Sequence, residues 1–205
     1  MTAVVRMAVL HMRTVAPYRT QGLLVFGLLM VVLARNPDHV VPALAMLLAP
    51  LVAVHPFVVA DKADLRTLYA VLPVPHRTVV LGHYAWALAS FLATVGAGAG
   101  VAVLLARAEG VPFAGRSALT ILALSWALFA VNIAIQFPLL IRFGYARTSI
   151  LGTTMPLALV MVAVVRLHLS LASVHTWLPL LWAAGPVVLA ASAILAARMP
   201  EHRGR

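Results

Sequence analysis

The chain has 205 residues, of which 63% are apolar or aromatic and only 10% charged, with a formal net charge of +10. A soluble domain of this length carries about 25% charged residues, so water is excluded as the solvent for most of this surface. The absence of cysteine removes disulfides, thiolate nucleophiles and cysteine metal sites. The basic residues are scattered and do not interleave with aromatics along a polar surface, so nucleic acid is not an expected partner.

Apolar windows near twenty residues recur along the chain, the length that spans a bilayer as helix. Residues 1–17 mix Val4, Val5, Val9, Leu10 and Met12 with Arg6, His11 and Arg13. They read equally as a helix lying in the headgroup region or as a cytoplasmic tail. The first span is expected over Tyr18 to Ala34, ending at the turn Arg35-Asn36-Pro37-Asp38. The second covers Val41 to Ala60.

Residues 61–77 form the longest fairly polar stretch. Asp61 is a capping residue for a short helix, with Asp64 near its positive end. Leu65, Leu68, Tyr69 and Leu72 follow at i, i+3, i+4 and i+7, one apolar stripe with Lys62 and Arg66 off it. Pro73 and Pro75 stop the helix, since neither donates a backbone hydrogen bond. The expectation is a short amphipathic cytoplasmic helix between spans two and three.

The third span is expected from Thr78 to Ala106. It is too long for about 30 Å of hydrocarbon, so it tilts or begins in the cytoplasm. After a loop at Arg107 to Pro112, the fourth span runs from Ser117 to Ile141. The fifth covers Ile150 to Leu167 and the sixth Trp177 to Ala197, leaving 198–205 as a cytoplasmic tail. Six spans put both termini on one side. If that side is the cytoplasm, Arg6, Arg13, Arg19, Lys62, Arg66, Arg77, Arg142, Arg147, Arg198, Arg203 and Arg205 lie inside, against Arg35, Arg107, Arg116 and Arg166 outside. That bias fits the positive-inside rule for short loops. The fold class expected is an all-α integral membrane protein: one domain over 1–205, a polytopic bundle of six transmembrane helices, both termini cytoplasmic. Apolar stretches such as Ala118 to Leu124 lack the two-residue alternation of a transmembrane barrel.

Few polar residues fall within spans. Gly96 and Gly100 form GxxxG, where small residues let helices pack closely. Asn132 and Gln136, one turn apart before Pro138, would either satisfy one another's bundle or line a path for solute. His55 beside Pro56 seeks a partner, and proton coupling through it lacks an acid within any expected span. No HExxH, GxSxG or GxxxxGK[ST] pattern occurs, so neither a metalloenzyme, a serine hydrolase nor an ATPase is expected in this chain.

Two segments resemble a known family. The run Leu72-Pro73-Val74-Pro75-His76-Arg77-Thr78-Val79-Val80-Leu81-Gly82-His83-Tyr84 resembles the LPxxRxxxVxxKY stretch of bacterial type-2 ABC transporter permeases of the small six-span branch. Pro138-Leu139-Leu140-Ile141-Arg142-Phe143-Gly144 resembles that family's P-[LV]-x-x-[KR]-F-G segment after span four. His83 departs from the usual lysine, and His76-Arg77 shifts the basic position. The resemblance implies a permease of the bacterial cytoplasmic membrane that pairs with a second permease copy or a similar permease. It also implies a separate nucleotide-binding ATPase that holds ATP and Mg, this chain binding no cofactor itself. Export of a hydrophobic, amphipathic or peptide substrate is then expected, with Asp61 to Arg77 contacting the ATPase and membrane lipid. The alternative is an assembly or sensory subunit that binds an ATPase or signalling protein and moves no solute.

Overall fold

The computed structural model describes residues 3–15, 27, 45, 48–63, 75–110, 115–145, 148 and 177–199. These form five long helices: α1 (Ala3–Val15), α2 (Ala49–Lys62), α3 (His76–Glu109), α4 (Gly115–Phe143) and α5 (Leu178–Arg198). No strand occurs among the described residues. Stretches of α3, α4 and α5 are long and apolar enough to cross a bilayer: His76–Ala108, Leu122–Phe143 and Leu178–Arg198. The expected first span apart from residue 27, the start of the second apart from residue 45, the fifth span and residues 64–74 lie outside the described residues.

The helices end where backbone chemistry dictates. α3 runs from His76 to Glu109, beyond the expected Thr78 to Ala106 at both ends. Pro75 precedes it in extended conformation, and Gly110 closes it in the left-handed region (φ 65°), its N–H bonded to Ala106 O and Arg107 O. α4 likewise outruns Ser117 to Ile141 and stops only where Gly144 turns left-handed (φ 79°). The Gly144 N–H then reaches Leu140 O at 2.9 Å, and Thr148 Oγ1 donates to Gly144 O. The glycine of the Arg142-Phe143-Gly144 segment is therefore a helix stop that a side chain with Cβ would strain. Pro179 sits in the first turn of α5, where its missing N–H costs nothing.

α4 is the central helix. Over half of its spanning stretch is buried (56%), against 28% for α3 and for α5. Phe129, Ile133, Phe137 and Leu140 repeat at helical spacing and are fully buried. Phe91 of α3 packs on Phe129 (ring centroids 4.7 Å) and Trp126 (5.1 Å), and Tyr84 on Phe137 (5.1 Å). Phe57 of α2 meets Phe137 edge-on at 5.1 Å. Such rings contribute large apolar area and an orientation preference of about 0.5–1.5 kcal/mol per pair.

These contacts fix directions. Trp86 lies level with Val52 and His83 with Phe57, so α2 and α3 are antiparallel. α4 is antiparallel to α3 by the ring pairs above. Trp126 lies against Gly185, and Ala134 against Ser192, so α4 and α5 run parallel. The last turns of α2, α4 and α5 therefore share one end of the bundle with the first turn of α3. The exposed basic residues Lys62, Arg77, Arg142 and Arg198 stand there, while Arg107 stands at the other end. Three of those four cations sit on helix carboxyl ends, where the dipole favours positive charge.

Candidate coupling end and the clasps behind it

The expected contact segment is only partly within the described residues. Asp61 is half-buried in the last turn of α2, and Arg77 is exposed in the first turn of α3. Asp64, Leu65, Arg66, Leu68, Tyr69, Leu72 and Pro73 lie outside the described residues. What the structure does give is the frame around them. α2 delivers the chain to this end, and α3 carries it away as one unbroken helix of 34 residues. At 1.5 Å per residue that is about 51 Å, some 20 Å more than a hydrocarbon core.

Close behind the start of α3, α1 lies across Gly82 and His83. A Cβ on Gly82 would stand 2.7 Å from Met7 Cγ, so the missing side chain is what lets the two helices meet. His11 is buried and its ring lies 4.2 Å from that of His83. His83 in turn stacks on Phe57 at 4.3 Å and donates through Nδ1 to Val79 O at 2.9 Å. A flat imidazole fills this sandwich, which explains a histidine where the resembled motif has lysine, since an ammonium has no face to stack. Burial, with His83 beside it, pushes the His11 pKa down to about 3. The N-terminal residues thus include a helix docked on the bundle, with Arg6 and Arg13 exposed.

The proline positions acquire a definite chemistry. Pro56 lacks the N–H that would bond Val52 O, and Trp86 Nε1 of α3 donates to that carbonyl at 3.1 Å. Pro138 likewise releases Ala134 O, and Ser192 Oγ of α5 donates to it at 2.8 Å. The serine hydroxyl proton being committed there, Tyr84 O–H of α3 donates to Ser192 Oγ at 2.7 Å. Unsatisfied carbonyls in hydrocarbon cost several kcal/mol each, so these side chains remove a penalty that the prolines create. The sequence marks both prolines but not their partners: Ser192 sits 58 residues from Ala134.

Other expected site residues separate. Asn132 and Gln136 are buried on α4 beside Pro138. Among the described residues their oxygens, Asn132 Oδ1 and Gln136 Oε1, accept no hydrogen bond, and the carbonyl released by Pro138 accepts one from Ser192. His55 is half-buried on α2. Arg142 and Phe143 are exposed, with the guanidinium carbon 5.3 Å from the neighbouring ring centroid. Gly96 and Gly100 are exposed, and a Cβ on either would meet nothing within 4 Å. Among the described residues, close approach occurs at Gly82 and at Gly185, where a Cβ would overlap the Trp126 indole nitrogen. Among the described residues no three His, Asp or Glu side chains gather in a way that would hold a metal.

Long apolar helices around a buried aromatic core, with charge confined to their ends, define an integral membrane protein. Residues 17–199 match the family model of the ABC-2 family transporter protein. The match covers most of the chain, which therefore belongs to the ABC-2 transporter family and is a membrane transport component. Comparison with curated proteins and with solved structures found no match.

Proposed function

We propose that the chain is the permease subunit of an ATP-driven exporter in the bacterial cytoplasmic membrane. The observation that carries the reading is that α2 ends and α3 begins at one basic end of the bundle, with residues 63–75 strung between them. That end faces the cytoplasm, six spans cross the membrane, and both termini lie inside, in keeping with the positive-inside rule. Asp61 to Arg77 contacts a separate ATPase through the stripe Leu65, Leu68, Tyr69 and Leu72, with ATP and Mg held by that partner. A second permease, identical or similar, completes the path.

ATP-driven closure of the ATPase displaces this segment, and Pro73-Val74-Pro75 hands the displacement to α3. Because α3 exceeds the membrane thickness and starts directly after Pro75, it acts as the lever that shifts the bundle between inward- and outward-facing arrangements. A wall this apolar suits a hydrophobic, amphipathic or peptide substrate. In complexes reconstituted with the ATPase, Leu68→Asp with Leu72→Asp abolishes stimulation of ATP hydrolysis while the protein still inserts. Normal stimulation by that variant would sink the contact segment.

A further inference from the structure

The carbonyls released by Pro56 and Pro138, two of the three prolines inside the described helices, are held, directly or through one serine, by side chains on a single turn of α3. Trp86 reaches α2 at Val52, and Tyr84 reaches α5 at Ser192, which itself holds α4 at Ala134. In each case the released carbonyl lies one turn before a proline inside a helix, the place where a helix bends at least cost. The turn of α3 that carries both donors lies about 12–15 Å from the helix start at His76, by the rise per residue. It also carries Gly82 and His83, against which α1 docks. Four helices are thus tied to one short length of α3 by contacts that specific atoms make.

We propose that Tyr84, Trp86 and Ser192 are positioning residues that make α3 the common handle of two proline hinges, one at Pro56 and one at Pro138. A shift of α3 pulls on α2 through the indole N–H, and on α4 and α5 through the phenol and the serine. The hydrogen bonds replace what the prolines remove, so each hinge stays closed at rest yet remains a place where the helix bends without breaking an internal bond. Its use in transport rests on the permease reading; the ties themselves do not.

The absence of native cysteine makes distance measurement direct. Spin labels at the exposed positions Lys62→Cys with Leu81→Cys report α2 against α3. Leu81→Cys with Leu195→Cys reports α3 against α5, and Ile135→Cys with Leu195→Cys reports α4 against α5. In phospholipid discs without nucleotide, Trp86→Phe loses the narrow distribution of the first pair and keeps the second. Tyr84→Phe does the reverse. Ser192→Ala loosens the second and third pairs together, and Ser192→Thr, which keeps the hydroxyl, restores both. Trp126→Phe leaves every pair narrow, because the Trp126 Nε1 makes no hydrogen bond.

Distributions unchanged in Trp86→Phe and Tyr84→Phe, or broadened alike in all pairs, would overturn the proposal. With an ATPase present, the wild-type pairs shift on adding ATP, and in Tyr84→Phe the third pair loses its shift while ATP hydrolysis continues. A third pair that still shifts in Tyr84→Phe would also overturn it. A wild type that shifts none of its pairs would count against the permease reading alone, the nucleotide-free distances still deciding on the ties.

Discussion

The two halves of α3 differ sharply. From His76 to Phe91 it carries Val80, Gly82, His83, Tyr84, Trp86, Ala87, Ser90 and Phe91 buried against four other helices. From Leu92 onward Leu92, Ala93, Gly96, Ala97, Gly100 and Leu104 are exposed. The hydroxyls at this boundary, Ser90 and Thr94, bond back to Ala87 O and to Ser90 O and Phe91 O in the same helix. Tight packing is therefore concentrated toward the end where residues 61–77 join, while beyond Leu92 burial narrows to the stripe Gly98, Ala102 and Ala106.

That contrast is open to substitution, and the largest effect belongs to the packed region. Gly185→Ala drives a methyl into the Trp126 ring, which has no flexible end to yield, and lowers stability by about 1–3 kcal/mol. Thermal unfolding in detergent reads this. Gly82→Ala drives a methyl against Met7 Cγ and Cβ, the latter fixed to the α1 backbone, so α1 is pushed off α3 and stability falls, less than at Gly185 because no ring is overlapped. Gly96→Ala and Gly100→Ala stand in open space within the helix and lose no stability, gaining up to about 1 kcal/mol from the better helix former. Equal losses at all four glycines would erase the distinction between the halves.

Acid tests the docking of α1 on the packed half. His11 falls from an ordinary value of 6.5 to about 3 when folded, so the undocked helix takes up its proton first. The stabilisation is complete above 6.5 and is lost progressively as pH falls toward 3. Thermal stability therefore drops between neutral pH and pH 4, and His11→Phe flattens the slope. An unchanged slope in His11→Phe would place the acid sensitivity elsewhere.

The sequence reveals the solvent of this protein more readily than its contacts. Uniformly apolar runs bounded by Gly110, by Gly144 and by Pro75 define α3 and the end of α4 to within about three residues, because those terminators act through their own backbone. Pro56 and Pro138 announce that carbonyls are released. Which side chains take them depends on helix rotation, and a helix apolar on every side has no amphipathic stripe to declare its rotation. Gly96 and Gly100 permit close approach, but the motif does not name the neighbour, and among the described residues none stands there. Gly82 and Gly185, single glycines without a motif, are where helices meet. Asn132 and Gln136 were visible as rare polar residues, yet Ser192 and Tyr84, ordinary by type, carry the bonds.

Everything proposed about coupling requires the basic end of the bundle to face the cytoplasm. Single cysteines at Lys62→Cys and Arg107→Cys, probed with a membrane-impermeant maleimide, test this directly. The account predicts that Lys62→Cys reacts in inverted vesicles and not in intact cells, with Arg107→Cys showing the opposite pattern. Reaction of Lys62→Cys from outside intact cells would contradict it.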